Sequence, residues 1–440
     1  MKNKSKMKIR KVTVLMFMFF CSTSLFAQMD NLSNMSAEWM RSAARNAASD
    51  AADVVVYNPA GITKMDDGFH VNFSNQSLFR NPTHSYDLGL GEGVKTFSQA
   101  SADLFLPNIY FAYKKNNWAI YSGIFNAGGG ATMDYTNGSI TTDLISLGAL
   151  TAAQAAYATT TNQMMKASSM YLTSTIGGTY AIDKCWSVSM GIRNISAKNT
   201  AVASMTLATS PIDYPDQPLN LDAKYNASGW GGVISMNVSP SENFDMSVRY
   251  ETQVNLDFKT KTNKDDFGLT TDGSMNRRDL PAVLAIGAAY EWSPKFKMYA
   301  DWNYYFQENA DWGKSTMLTN EVPLSKLAGN AAIYALGCQF QASPKWMMSW
   351  GGGYTKMSFN DKEGYYTNIG TFEVVQNDNY NVNMGFAYKA SGKVTMNAGY
   401  MHTFYPNDQT VKALLAQPLD VNVTTNNSIN AFAVGVDLTF

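Results

Sequence analysis

From about residue 68 to the C-terminus, apolar side chains recur at every second position. Phe432, Val434, Val436, Leu438 and Phe440 alternate with Ala431, Ala433, Gly435, Asp437 and Thr439. Tyr380, Val382, Met384, Phe386 and Tyr388 alternate with Asn381, Asn383, Gly385 and Ala387, and Met298, Ala300, Trp302, Tyr304 and Phe306 with Asp301, Asn303 and Gln307. A period of two belongs to a strand with one apolar and one polar face. Fourteen segments read this way: 68–79, 103–114, 118–127, 168–182, 185–198, 225–239, 244–259, 281–292, 295–307, 330–342, 345–358, 374–389, 393–405 and 427–440.

The connections follow a second rhythm. Short turns (Lys115-Asn116-Asn117, Asp183-Lys184, Pro240 to Asn243, Ser293-Pro294, Ser343-Pro344, Ser391-Gly392) alternate with long loops at 80–102, 128–167, 199–224, 260–280, 308–329, 359–373 and 406–426. Trp118, Trp186, Trp292, Phe296 and Trp346 stand beside the short turns. An all-β membrane protein predicts both features: an antiparallel transmembrane β-barrel with an even strand count, short periplasmic turns, long extracellular loops and aromatic girdles. A soluble sandwich predicts neither. The expected fold is therefore a fourteen-stranded barrel over 68–440.

Composition narrows the classes further. Charged residues are 16% and aromatics 13% of the 440 residues, with 34 Lys+Arg against 35 Asp+Glu. Mean hydropathy is −0.22, too low for a bundle of apolar helices of about 20 residues each. The aromatic content excludes a disordered chain, and no basic excess suggests nucleic acid. Residues 1–27 have the form of a secretory signal peptide: cations at Lys2, Lys4, Lys6, Lys8, Arg10 and Lys11, a short apolar core from Val12, and Leu25-Phe26-Ala27 before Gln28. Removing this leader takes six cations and no acid, leaving 28 against 35 and a net charge of −7. Cys185 and Cys338 then remain, on faces predicted to be opposite, which is no disulfide framework.

Residues 28–67 do not read as a membrane strand. Ala37 to Ala52 is Ala-rich, carries Arg41 and Arg45, and reads as helix. Either this segment plugs the barrel or it is a periplasmic tail. Asn58-Pro59-Ala60-Gly61-Ile62 follows Val54-Val55-Val56 and reads as a turn, with Pro fixing φ and Gly permitting positive φ. This motif just before the first of fourteen strands, the Ala-rich stretch Ala43 to Ala60, Leu106-Pro107-Asn108-Ile109-Tyr110 leading the second strand and the terminal Phe440 together resemble the FadL/TodX family of outer-membrane transporters of hydrophobic compounds. The resemblance covers most of the mature chain. It implies an N-terminal helical hatch inside the barrel whose mobile part includes Asn58, Pro59 and Ala60. It also implies an inward kink of the third strand that opens the wall sideways, for which Gly128, Gly129 and Gly130 are the candidates; the residues alone also fit a plain strand-to-loop junction.

Other candidates come from residue chemistry. Arg193, Arg249, Glu251, Glu291 and Asp301 fall on predicted inward faces. Arg193 and Arg249 either pair with acids across the lumen or receive a ligand carboxylate, because an ionised carboxylate cannot be buried unpaired. Leu144 to Met165 in the loop after the third strand reads as helix with apolar residues for a greasy ligand, or as a lid. His70, His84 and His402 show no metal spacing, and His402 is expected on the lipid side. No Ser/His/acid constellation suggests an enzyme, and no cofactor is implied.

The resulting expectation is a passive channel in the outer membrane of a Gram-negative bacterium. It takes up hydrophobic compounds, foremost long-chain fatty acids, is gated by the hatch, and works as a monomer surrounded by outer-membrane lipid. Two alternatives stay open: a surface receptor or adhesin that binds another ligand through its loops (haem, with His84 as a loop ligand, is one), and a general porin.

Overall fold

In a computed structural model the described residues are 35–440, apart from 100, 316–320, 374, 407–408 and 414–419. The leader 1–27 and residues 28–34 of the expected hatch lie outside the described residues.

Fourteen strands form the wall: β1 (Gly68–Arg80), β2 (Ser101–Lys115), β3 (Trp118–Tyr135), β4 (Thr159–Ala181), β5 (Trp186–Ala208), β6 (Gln217–Ser241), β7 (Phe244–Glu251), β8 (Val283–Ser293), β9 (Phe296–Tyr305), β10 (Asn330–Gln341), β11 (Trp346–Ser358), β12 (Asn379–Lys389), β13 (Val394–Phe404) and β14 (Ser428–Thr439). Each is antiparallel to its neighbours, and β1 pairs with β14 (Phe73↔Val436), so the sheet closes on itself. Closure pairs most of the wall, as hydrocarbon, where no water satisfies an open N–H or C=O, demands. The alternation read from the sequence maps onto this wall. Phe73, Ile176, Met190, Trp230, Leu336, Met384 and Val434 point out and are exposed, while Asn72, Thr175, Ser189, Ala335, Asn383 and Ala433 point in and are buried. So many exposed large apolar residues are stable only against lipid. Trp118, Trp186, Trp292 and Trp346 are exposed beside the short turns, as an interfacial belt requires.

Strands β3 to β6 run further than the sequence pattern indicates, to Tyr135, back to Thr159, to Ala208 and back to Gln217. Above the membrane the outward positions become polar (Ser196, Lys198, Thr200) and the inward ones small (Ala197, Ala201, Ala203), so the apolar signal fades although pairing continues. The seventh strand, expected to reach residue 259, stops at Glu251. Val254 and Leu256 turn inward and are fully buried. The chain then returns to pair Asp257–Asp265 with the upper part of β6.

The N-terminal segment is less helical than expected. Helix α1 (Ala37–Ser42) is capped by Ser36 and ends at Ala43, which has φ 64°. The amides of Arg45 and Asn46 are taken by Asp301 instead of helix carbonyls, at 2.7 and 2.9 Å. A second short helix, α2 (Val54–Tyr57), leads into a 3-10 turn, Pro59–Lys64. In the loop after β3, helix α3 (Ile140–Ala152) starts earlier than expected and ends earlier, since Thr159 onward belongs to β4.

The long loops build a cap. Segments Thr83–Tyr86, Lys95–Ser98, Gln409–Ala413 and Val421–Asn426 form a separate four-stranded sheet. It packs with α3, α4 (Leu324–Ala328) and α5 (Lys362–Ile369) around Tyr86, Ile140, Leu144, Trp312, Tyr366 and Phe372. Among the described residues no helix is long and apolar enough to cross a membrane.

Candidate functional site: the hatch, the lumen and the β3 wall

Residues 35–67 fill the periplasmic half of the lumen. The hatch has an internal ionic centre. Arg45 meets Asp53 through Nε at 3.1 Å and Nη2 at 2.5 Å, and Asp50 at 2.7 Å. Ser36 Oγ donates to Asp53 Oδ2 at 2.7 Å, which ties the start of α1 to the start of α2. Arg45 and Asp53 are wholly buried. Such a pair adds little over an apolar substitute, but either partner left alone inside is costly.

Polar bonds join the hatch to the wall almost all round. Glu38 Oε1 accepts from Asn72 on β1 and Asn397 on β13, at 2.8 and 2.6 Å. Arg41 donates to Ser349 on β11, and Asn383 on β12 donates to the Met40 carbonyl. Asn46 donates to Asn303 on β9 at 3.0 Å. Close approach requires small residues on the facing wall: a Cβ on Gly351 would stand 2.1 Å from the Ser42 carbonyl oxygen, and one on Gly399 would stand 2.7 Å from the Arg41 amide nitrogen. Inward glycines thus reserve room for the α1 backbone, which the sequence pattern showed only as small residues on polar faces.

Asn58, Pro59 and Ala60 form the most heavily tethered turn. Asn58 closes it by accepting from Gly61 N at 3.2 Å, and donates to the Ala48 carbonyl and to Asn237 on β6 at 2.8 Å. Pro59 O accepts from Thr179 on β4 at 2.9 Å, Ala60 O from Ser187 on β5 at 2.8 Å, and Ala60 N donates to Ser235 on β6 at 3.2 Å. All three residues are buried. Any movement of this turn must exchange these bonds for water or other partners.

Above the hatch lies a cavity lined by Trp39, Val55, Val56, Tyr57, Phe125, Val283 and Tyr305, with Arg193, Arg249 and Glu251 on one side. The cavity has a volume of ≈ 40 Å³, space for about three waters. Arg193 and Arg249 come together there. Arg193 donates to Glu251 and, at 2.9 Å, to the Thr252 carbonyl. Arg249 Nε lies 3.1 Å from Glu251 and its Nη1 donates to the Val56 carbonyl of the hatch. Two guanidiniums share one carboxylate, which leaves this trio with one excess positive charge. Asp301 does not join them, since it holds the amides of Arg45 and Asn46. Glu251, read from the sequence as an inward acid, is the one that pairs with both arginines, whereas Asn46 and the wall glycines are members of the site that residue chemistry alone did not single out.

The wall is irregular at Gly128, Gly129 and Gly130. The β3–β4 register slips twice, between Asn126 and Gly128 and between Gly129 and Ala131, with Gly129 at φ 68°. The β2–β3 ladder ends at Ile109↔Ile124, although both strands continue. Beyond it, among the described residues, the bridges involve side chains, such as Asn126 N to Asn108 Oδ1 at 3.4 Å and Thr132 Oγ1 to Asp103 at 2.6 Å. Phe125 and Ala127, on the margin of this parted segment, also line the cavity.

The histidines fall elsewhere. His84 is buried under the cap, not displayed on a loop: its Nε2 accepts from Ile140 N at 3.1 Å and its ring packs on Phe97 and Tyr135. That placement overturns its reading as an exposed haem ligand. His402 lies on the outer wall face against Phe404 and Asn430, as expected. His70 bonds the Asp66 carbonyl at the barrel rim. Among the described residues no cluster of three or more His, Cys, Asp or Glu could hold a metal ion.

A closed fourteen-stranded barrel with an inserted N-terminal plug, a small internal cavity and a parted wall is the architecture of a plugged outer-membrane barrel. Over residues 19–440 the sequence matches the family described as outer membrane protein transport protein (OMPP1/FadL/TodX), and the chain belongs to that family. Its members are transporters and channels, not enzymes. Among solved structures it is similar to a Pseudomonas aeruginosa FadL homologue (12% identity, 93% of this chain and 100% of that one, TM-score 0.66). It is also similar to the Pseudomonas putida toluene transporter TodX (11% identity, 94% and 100%, TM-score 0.63) and the Ralstonia pickettii toluene transporter TbuX (12%, 89% and 94%, TM-score 0.56). No curated protein sequence matches the chain.

Proposed function

We propose that this barrel admits long-chain fatty acids or similarly amphipathic hydrophobic molecules by passive diffusion, as a monomer gated by its hatch. The observation that carries the reading is the cavity between hatch and wall. Its lining is half apolar and half polar, with the apolar part on Trp39, Val55, Val56, Phe125 and Val283; it carries one excess guanidinium charge at Arg193 and Arg249, and it borders the segment where β2 and β3 part. An aliphatic chain suits the first feature, a carboxylate headgroup the second. At ≈ 40 Å³ the cavity is too small for such a ligand while the hatch is seated, so entry requires Val56 and its neighbours to move away from Arg249. Release then runs past Phe125 and Ala127, between β2 and β3, into the bilayer. The lumen is plugged, which speaks against a general porin.

The test is equilibrium binding of a labelled long-chain fatty acid to the purified barrel, with toluene as competitor and a small sugar as control. Saturable binding that weakens in the Arg193→Gln/Arg249→Gln variant supports the reading. Binding of toluene with no fatty-acid affinity would reassign the cargo to neutral hydrocarbons, and no binding of either would sink the hydrophobic-cargo assignment.

A further inference from the structure

The outer surface of the wall is not uniform at its extracellular margin. On β9 to β13 one row is aromatic throughout: Trp302 faces Tyr334, Tyr334 faces Tyr354, Tyr354 faces Tyr380 and Tyr380 faces Phe404. The central rings stack, with centroids 6.4 and 4.8 Å apart. This is an ordinary interfacial girdle. The nearby Lys356 is paired, at 2.9 Å, with Asp378.

On β5, β6 and the returning strand Asp257–Asp265 the margin is built from lysines. Lys198 faces Asn226, which faces Lys259, and one step higher Lys224 faces Lys261. All four lysines are exposed and share the parity of the lipid-facing Ile192 and Trp230. Their ammonium groups have no ion pair or hydrogen bond among the described residues. Of the acids on the same face, Asp257 lies 3.4 Å from Arg277, and Asp222 accepts from the neutral Asn263 amide at 3.0 Å and keeps its charge. Like charges directly opposite across a ladder are unfavourable, and diagonal ones are still within reach of long side chains. Four lysines against the one carboxylate of Asp222 leave an excess of positive charge that calls for an anion from outside the chain.

Height decides which anion. Lys198 is 12 residues along β5 from Trp186 of the periplasmic belt. That is about 40 Å of strand, or about 30 Å of height at a tilt of about 40°, just above an apolar band about 25 Å tall. Met170 and the exposed Met275 flank Lys198 and Lys259 in register, so the patch touches apolar surface below and beside it. We propose that Lys198, Lys224, Lys259 and Lys261 bind a phosphorylated lipid headgroup of the outer leaflet, its acyl chains lying along Met170, Ile192 and Trp230. The lysines supply charge to phosphate oxygens, and the wall supplies the hydrocarbon contact that a soluble anion would not use.

The experiment compares three probes on the purified full chain in neutral detergent: phosphorylated lipid A, the same lipid A after phosphatase, and inorganic phosphate. Binding is read by native mass spectrometry. The expected result is a preference of about tenfold or more for the phosphorylated lipid, lost in about 0.5 M salt, with inorganic phosphate a poor competitor. Lys198→Gln/Lys224→Gln/Lys259→Gln/Lys261→Gln should abolish the preference, whereas Lys356→Gln should keep it. Heat-modifiable gel mobility verifies folding; if the fourfold variant fails it, Lys224→Gln/Lys261→Gln should still lower the preference. Equal binding of both lipids by the wild type, displacement by millimolar phosphate, or an unchanged preference in a folded variant would overturn the proposal. So would loss of a co-purifying protein in the variant with lipid preference intact.

Discussion

The hatch and the extracellular cap are both packed against the same barrel, and each combines an apolar cluster with polar bonds in its own way. The hatch meets the wall through carboxylates, amides and hydroxyls (Glu38 on Asn72 and Asn397, Asp301 on the Arg45 and Asn46 amides, Ser187 and Thr179 on the Ala60 and Pro59 carbonyls). It also meets it through an apolar cluster in which Trp39, Val55, Tyr57 and Ile62 pack with Tyr110, Tyr121 and Phe125. The cap coheres through Tyr86, Trp312, Tyr365, Tyr366 and Phe372, with polar bonds of its own such as Tyr86 to Asp143 at 2.6 Å and Thr141 N to Glu373 at 3.1 Å. A polar contact in a wet lumen can be traded for water at a net change of about 1 kcal/mol each. A buried aromatic cannot, since its exposure costs about 2 kcal/mol or more. On the proposed gating, the polar bonds are what the hatch exchanges for water, and Trp39 and Tyr57 are what resists its movement.

The largest test of this contrast is removal of the hatch. Deleting residues 35–66 should leave a barrel with normal heat-modifiable mobility but a large, persistent conductance in planar bilayers, which the full chain should lack. An unchanged conductance would mean that the cap, not the hatch, closes the channel. Next is Arg45→Ala, which strands Asp53 and should loosen the hatch by about 3–5 kcal/mol. Limited proteolysis should then cut within residues 35–67 and leave the wall intact. Gly399→Val should displace α1 through a clash with Arg41 and Met40, at a cost of about 1–3 kcal/mol. If hydrogen exchange of α1 is unaltered, the close approach is not required.

The cap has a pH dependence of its own. Burial holds the His84 imidazole below its ordinary range, against the opposing pull of Glu373 and Asp143. Tyr86, Tyr135 and Lys95 complete the surroundings, with Tyr86 and Lys95 both on Asp143. A depressed folded value means that the neutral ring's stability is fully present above about pH 6.5 and is lost as pH falls toward the folded value. The slope is at most about 1.4 kcal/mol per pH unit. The protection factor of the Ile140 amide, corrected for intrinsic exchange, should therefore fall on acidification, and His84→Asn should flatten that response. The smallest effect is expected from Ser139→Ala. It removes the side-chain cap on Thr142 N and should cost about 1 kcal/mol, visible as fraying of α3 alone.

The sequence by itself determined the wall. Lipid on one side and a polar lumen on the other impose a two-residue period, so Phe432 to Phe440 or Tyr380 to Tyr388 could be assigned a face without coordinates. The alternation of short and long connections set the strand count and the side on which Trp186 and Trp346 stand. Where lipid ends, that signal ends, and β3 to β6 ran past their expected limits for this reason. Only the tertiary structure decided the remainder. Ala37 to Ala52 has helical composition, but the carboxylate of Asp301, more than 250 residues away, captures amides that a helix would have used. His84 looks like a loop histidine until strands from both ends of the chain close over it. Lys198, Lys224, Lys259 and Lys261 are scattered in sequence and become one patch only through register. Partners chosen across long sequence separations leave no local period, and so the hatch, the cap and the charge pattern had to be read from the fold.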